Sequence, residues 1–358
     1  MEILFVLGTK AQFIKTIPMI NLAIERNIKV TLVDLKQHPE KAKNLREKIV
    51  GVYNYVEYID NKNDLGTYPK LIFWFMKMLF KITFTKSSIF QNNLSIVHGD
   101  TLSALVGALL IRRNKGKLVL LEAGKGFPGM LKHFPESFIR YYVAKFSHYL
   151  IINGKDQLFK LKEWKVKGKI LEISRNTIYD SLDLVNLEKK TDSKEIVVSI
   201  HRTENINSKS NMKKLTKLIS EIDSKFNISW YLHIPTKNRL KAYNLLNTLA
   251  SYEVKLNDLI PYDEFLNKIN SSEFVITDGD GVTEECYILG IPTLVWRYEH
   301  LDSNHLFTDD TSLVLSDFNF VKCQDFFENY KLYKKTRKLD SISPSNEALD
   351  LLLEKQKN

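Results

Sequence analysis

Three carboxylate-bearing segments carry the chemistry most legible in this chain. Val97-His98-Gly99-Asp100 closes an apolar run that begins at Leu94, Leu121-Glu122-Ala123-Gly124 closes another from Leu118, and Pro135-Glu136 opens a helical pattern that includes Arg140. A single carboxylate at a strand end or in the first turn of a helix reads equally well as a cap, and Asp100 and Glu136 taken alone read that way. Three such groups brought to one place suit a different task. Moving a hydrogen from one face of a carbon to the other needs two acid/base groups on opposite faces, in environments that hold their pKa values near neutral.

A second constellation lies downstream. Ile276-Thr277-Asp278-Gly279-Asp280-Gly281-Val282-Thr283-Glu284-Glu285 reads as a strand end, a glycine-rich turn and a helix start. Backbone N–H groups and the positive end of a helix dipole at such a turn suit a phosphate, and a first-turn glutamate can reach sugar hydroxyls beside it. Ser199-Ile200-His201-Arg202-Thr203-Glu204-Asn205 follows another strand, where His201 and Arg202 can face a diphosphate or form a surface pair. His233, at the end of Tyr231-Leu232-His233, reads alone as a structural or capping donor.

Strand-like and helical patterns alternate along the whole chain, starting at Ile3–Leu7 and restarting at Ile196–Ile200. That rhythm predicts an α/β protein of two Rossmann-like, doubly wound domains with parallel sheets, facing each other across a cleft, with ligands at the carboxyl ends of the strands. The expected division is residues 1–175, joined by a C-terminal helix at 345–358, against 176–344. Helices are expected near 14–25, 101–112, 136–145, 211–225 and 240–249, with a short basic segment after Ile152.

Length and composition agree with this reading. A chain of 358 residues exceeds one core of usual size. Its 44% hydrophobic and 26% charged content is that of a soluble globular protein. The net charge of +10 is scattered rather than striped, which argues against nucleic acid as partner. Cys286 and Cys323 form neither a disulfide framework nor a zinc pattern, and the N-terminus opens on a strand without a signal-peptide pattern, so a cytoplasmic location is expected. No metal site is visible and no cofactor is expected. The most apolar stretch, 71–84, is shorter than the roughly 20 residues of a spanning helix and carries Lys77 and Lys81 four apart. It predicts a helix packed on the sheet with a lysine stripe toward water; the alternative is peripheral contact with a membrane.

The motifs together resemble the UDP-N-acetylglucosamine 2-epimerases of the non-hydrolysing kind. The resemblance runs through Gly8-Thr9-Lys10-Ala11-Gln12, Gln37-His38, His98-Gly99-Asp100-Thr101, Glu122-Ala123-Gly124, Pro135-Glu136, Asn176-Thr177-Ile178-Tyr179-Asp180, His201-Arg202-Thr203-Glu204 and the 278–285 turn. It implies a GT-B type architecture, a homodimer, and anti elimination of UDP across C1–C2 followed by re-addition with the opposite configuration at C2. Asp100, Glu122 and Glu136 then match catalytic carboxylates, and His201 a catalytic histidine near the diphosphate. Lys15 and Arg140 match sugar- or phosphate-contacting positions, Phe265 the aromatic beside uracil, and Glu285 the glutamate on the ribose. Lys10, Arg202, His233, Gly279, Asp280 and Gly281 complete the candidate nucleotide-sugar-binding set.

The chain departs from the family pattern around the ligand. Lys10 and Gln12 stand in a segment the family writes G-T-R-P-E, Lys125-Gly126 replaces L-R, and Glu299-His300-Leu301-Asp302-Ser303-Asn304 replaces T-E-R-P-E. Asp280 adds negative charge where a diphosphate would sit, unfavourable unless it turns away or meets a cation. These departures suggest a ligand other than the family's usual one. Phe138-Ile139-Arg140 and Ser147-His148 are similar to the hydrolysing relatives. Alternatives are therefore a hydrolysing 2-epimerase, an epimerase of another activated sugar such as a nonulosonate, a GT-B glycosyltransferase, and a non-catalytic sugar-nucleotide sensor. A transferase usually needs one base, and neither it nor a sensor needs three carboxylates.

Overall fold

The central strands are short aliphatic runs buried on both faces, the pattern of parallel strands covered by helices, while the edge strands 54–57, 169–172 and 254–258 are partly exposed. A computed structural model describes residues 2–357 apart from 66, 85, 126–134, 188–193, 253, 299–305, 308 and 339–340. It divides into two compact units, Met1–Leu184 with Ile342–Asn358, and Val185–Ser341. Asn176 and Ser181, which the expected division assigns to the second domain, bond into the first unit: Asn176 donates to Glu122, and Ser181 Oγ donates to Ile14 O at 2.8 Å.

The first unit holds β1 (Glu2–Leu7), β2 (Lys29–Asp34), β3 (Asn54–Glu57), β4 (Leu94–His98), β5 (Lys117–Leu121), β6 (Tyr149–Ile152) and β7 (Lys169–Glu172). They form one parallel sheet in the order β3-β2-β1-β4-β5-β6-β7. The winding reverses between β1 and β4, where Phe5 lies opposite Ile96. The second unit holds β8 (Glu195–Ser199), β9 (Asn227–Leu232), β10 (Val254–Asp258), β11 (Val275–Thr277), β12 (Thr293–Val295) and β13 (Leu313–Leu315). Its parallel order is β10-β9-β8-β11-β12-β13, reversing between β8 and β11 with Ser199 opposite Thr277. Such reversals are where open α/β sheets leave a crevice at the strand ends.

Most expected elements are present with shifted ends, and the differences have local causes. The 240–249 pattern is two helices, Ile234–Ala242 and Leu246–Ala250, broken at Asn244, whose φ of 58° is left-handed. The basic segment after Ile152 contains a helix, Lys155–Glu163, with its cationic side turned outward. The first helix begins at Lys10 rather than Ile14 because Gln12 caps it, its Oε1 accepting from Gly8 N at 2.8 Å and Thr9 N at 3.1 Å. The apolar stretch is a helix, Tyr68–Phe84, packed through Trp74, Met78 and Ile82. Its lysines do not form a simple solvated stripe: Lys77 is exposed, whereas Lys81 donates to Tyr58 O and lies 4.5 Å over the Tyr58 ring. No helix among the described residues is long and apolar enough to cross a membrane.

Candidate active site

At the switch point of the first sheet, the segments after β1, β4 and β5 supply the polar groups. β5 ends in a reversal in which Glu122 (φ 56°) and Gly124 (φ 75°) are both left-handed. Glycine is required at 124, since a Cβ there would lie 2.9 Å from Gln157 O. Glu122 has no such freedom, and its strained backbone turns the carboxylate into a cage of donors. Lys15 Nζ lies 2.6 Å and Lys125 Nζ 3.2 Å from Oε1, and Asn176 Nδ2 donates to the same oxygen. Asn176 is itself fixed, its Oδ1 accepting from Ile178 N at 3.0 Å. Burial alone would raise the Glu122 pKa, but Lys125 and Lys15 hold it well below the usual carboxylate range, so Glu122 does not have the near-neutral value expected of it and stands as an ionised base.

The other Glu122 oxygen faces His98, whose Nε2 is 3.7 Å away and makes no hydrogen bond. Burial pushes His98 down to about 4 against the pull of Glu122, so its ring is neutral at pH 7. Asp100 also acts electrostatically on that ring and is ion-paired with Arg140. Glu136 is the exposed first residue of the helix Glu136–Phe146, one turn before Arg140 and so on the same helical face. Asp100 and Glu122 thus both act on His98, whereas Glu136 is connected to them only through the helical face it shares with Arg140. Lys10 opens the helix that carries Lys15.

Gln12 explains one departure from the family pattern. Besides capping, its Oε1 accepts from Ser103 Oγ at 2.9 Å while its Nε2 donates to His98 O at 2.8 Å. A carboxylate cannot make that donation, so the amide ties β4 to the first helix. The features of the hydrolysing kind have structural partners: Ser147 Oγ donates to Val143 O at 2.7 Å, and His148 Nδ1 accepts from Leu118 N at 3.0 Å.

The second unit builds its own site at its switch point, after β8 and β11. Asp278 is fully buried and accepts from His201 N at 2.9 Å, Arg202 N at 3.0 Å and Asn205 Nδ2 at 2.9 Å. Asn205 Nδ2 also reaches Trp296 O at 2.9 Å, so one side chain ties three strand ends together. Burial raises Asp278 despite these donors. His201 stacks on His233, centroids 4.5 Å apart and planes 27° apart, and burial with Arg202 pushes it down to about 4. Gly279 is in contact with that ring: a Cβ there would come within 2.6 Å of His201 Cε1.

Asp280 opens the helix Asp280–Leu289 and neither turns away nor stands as an isolated charge. It is paired with Arg202, and Arg297 Nη1 lies 2.6 Å from its Oδ1. Arg297 is 6% exposed, and its Nε and Nη2 make no hydrogen bond among the described residues. The two guanidinium groups neutralise the Asp280 carboxylate, and Glu204 lies 3.9 Å from Arg202 Nη1 on the other side. The expectation that Asp280 marks a different ligand therefore loses its electrostatic basis. Glu284 and Glu285 are buried on the same helix, with Tyr262 facing Glu285; burial, then Glu285, raises the Tyr262 phenol well above its ordinary value. Phe265 packs edge-on against Tyr231 at 5.4 Å, and Gly281 follows Asp280 with open space about its Cα. The 299–304 departure lies outside the described residues. No cluster of three or more metal-ligating side chains occurs among the described residues.

Sequence reasoning missed Asn176 as a partner of Glu122, and also Lys125, His98, Asn205 and Arg297. Asn176 stood in a quoted motif without a role. Arg297 follows a strand just as His201 and Asp278 do, which was the available signal.

Two doubly wound parallel-sheet units, each with charged side chains at its switch point, define an α/β enzyme of the GT-B type. Residues 22–312 match a family model described as UDP-N-acetylglucosamine 2-epimerase, and the chain belongs to that family. The UDP-N-acetylglucosamine 2-epimerase of Methanocaldococcus jannaschii is 27% identical over 321 residues, covering 83% of this chain and 84% of the relative. The Campylobacter jejuni enzyme is 26% identical over 325 residues, covering 83% and 81%. The fold matches the crystal structure of the M. jannaschii enzyme in complex with UDP-GlcNAc and UDP, at TM-score 0.74 and 22% identity over 99% of this chain and 100% of that one. It also matches the Neisseria meningitidis enzyme bound to UDP-GlcNAc, at TM-score 0.76 and 19% identity over 99% and 100%.

Proposed function

We propose that the protein interconverts UDP-N-acetylglucosamine and UDP-N-acetylmannosamine by eliminating UDP across C1–C2 and adding it back. The C2 proton leaves to an enzyme base as the C1–O bond to UDP breaks, giving a 2-acetamidoglucal. Return of UDP to C1 with a proton delivered to the other face of C2 inverts that carbon. Glu122 and Glu136 are the acid/base pair in this reading, and Arg140 with Asp100 orients the sugar. Lys10 and Lys15 contribute positive charge toward the leaving phosphate.

The second unit takes the nucleotide. The helix terminus with Arg202, Arg297 and the N–H groups of Gly281 and its neighbours receives the diphosphate, with His201 as donor and His233 holding its ring. Glu285 serves the ribose hydroxyls and Phe265 the uracil. Family membership supports the reaction class, and the observation that carries the reading is the caged Glu122 beside His98 and the Asp100–Arg140 pair. Incubation with UDP-N-acetylglucosamine in deuterated water, followed by proton NMR, tests it. Loss of the C2 proton signal with intact nucleotide sugar is expected; free sugar plus UDP would replace the epimerase reading by hydrolysis, and no change would reject this substrate.

A further inference from the structure

β4 and β5 end side by side, with His98 opposite Leu121 and Gly99 N donating to Leu121 O at 3.2 Å. The register of the two strands therefore brings the His98 ring to the Glu122 carboxylate. Gln12 pins the backbone there through its bond to His98 O, and the ring is buried. The two oxygens of Glu122 are not equivalent. Oε1 receives Lys15, Lys125 and Asn176, whereas no hydrogen bond among the described residues reaches Oε2. The neighbour of Oε2 is His98 Nε2 at 3.7 Å, a buried nitrogen that itself makes no hydrogen bond. A buried polar atom without a partner calls for an explanation. Here it faces the one carboxylate oxygen left to take a proton.

We propose that His98 is the positioning residue for Glu122, holding Oε2 through Nε2 while that oxygen transfers the proton. The inference rests on the reading of Glu122 as an acid/base group given above and assigns its reacting atom. Three donors on one oxygen leave a carboxylate able to pivot about that oxygen, and a contact at the other stops the pivot. Burial, with Lys15 and Lys125, keeps the ring neutral against the pull of Glu122 and Asp100. A neutral imidazole has one N–H, and beside an ionised carboxylate it belongs on Nε2. The 3.7 Å separation exceeds a hydrogen bond, but bonds of acid/base groups commonly tighten in the Michaelis complex. Once Oε2 carries a proton, it donates to Nε2 of the other tautomer. A proton lost from Nε2 and one gained at Nδ1 leave the ring neutral, so one side chain serves both states of Glu122.

Two variants and one spectrum test this. His98→Leu is expected to lower kcat at least tenfold with KM for UDP-N-acetylglucosamine little changed. Its acidic limb should move to higher pH, because Glu122 loses a group that favours its ionised form. His98→Gln, whose amide can donate or accept, is expected to recover most of the turnover and the original limb. Circular dichroism and UDP calorimetry verify that both variants fold. Nitrogen-15 NMR of the wild type, with His98 assigned by its absence in His98→Gln, should show the Nε2–H tautomer, and Glu122→Gln should weaken that preference. Wild-type turnover in His98→Leu, equal loss in both variants, or an Nδ1–H ring in the wild type overturns the proposal. A wild type inert toward UDP-N-acetylglucosamine rejects the substrate assignment instead, and the tautomer still decides whether Nε2 holds Oε2.

Discussion

Lys125 Nζ lies 3.2 Å from Glu122 Oε1, on the same chain reversal three residues later. Lys125 stands where the family has leucine, so this chain adds a cation to a carboxylate that Lys15 already contacts. Lys125→Leu removes one of the two charges holding Glu122 in its ionised form. The acidic limb of the kcat/KM profile is expected to move to higher pH, with little change in UDP affinity. An unmoved limb in a variant with altered turnover would assign Lys125 a merely structural role.

Glu122→Gln and Glu136→Gln are each expected to reduce turnover by about 10²-fold or more, the contribution typical of an acid/base group. UDP binding, measured by calorimetry, should survive both, because the proposed nucleotide site belongs to the other unit. Wild-type turnover in either variant removes that residue from the proton-transfer machinery.

Asp280→Asn leaves Arg202 and the nearly buried Arg297 without their shared carboxylate. Removing one partner of a buried pair costs on the order of 3–5 kcal/mol, and the partial exposure of Asp280 places this case below that range. The apo melting temperature should fall, UDP should restore it, and calorimetry should record tighter UDP binding with a steeper salt dependence. Unchanged affinity would show that the two arginines do not meet the diphosphate.

Gly279→Ala places a methyl group in the space of the His201 ring, which must swing off His233. Turnover is expected to fall at least tenfold with the fold intact, a drop equivalent to about 1.4 kcal/mol in the barrier. A crystal structure of the variant with the His201–His233 stack preserved would contradict the packing argument.

Burial keeps His201 neutral, with its pKa at about 4 against 6.5 for a free histidine. The unfolded chain therefore binds the extra proton first as pH falls. The stability from the neutral ring is complete above about 6.5 and is lost progressively toward 4, its size reduced by the 35% exposure of the side chain. Asp278, raised by burial, acts in the opposite sense, since it gains its proton more readily in the folded state. Denaturant titrations between pH 7 and 4 should give a shallower loss for His201→Gln than for wild type. Equal slopes would place the His201 pKa near its ordinary value.

The alternation of strands and helices was legible because parallel strands covered on both faces read as apolar runs and the helices between them as periodic ones. The switch points followed, since His98, Asp100, His201 and Asp278 all stand directly after such runs. Conformation and pairing were not legible. Nothing in Leu121-Glu122-Ala123 announces a left-handed glutamate, and nothing near Asp280 announces Arg297, which meets it only because β11 and β12 are neighbours. The helix expected at 71–84 is present from Tyr68, but the periodicity of an apolar stretch does not tell which of two apolar sides faces the sheet.

The helix Pro344–Lys357 returns to the first unit after the whole of the second, burying Ala348, Leu349 and Leu352 and receiving a cap from Asp180, which accepts from Ser345 N at 2.7 Å. During translation this helix is the last described element to emerge from the ribosome. The unit that carries Glu122 is then synthesised early but finished late, and the side of its first helix, Lys10–Glu25, that receives this last helix stays uncovered until the second unit has been made. The order of synthesis is thus the reverse of the order of completion, and a nascent chain stopped after residue 341 carries a closed second unit on an open first one.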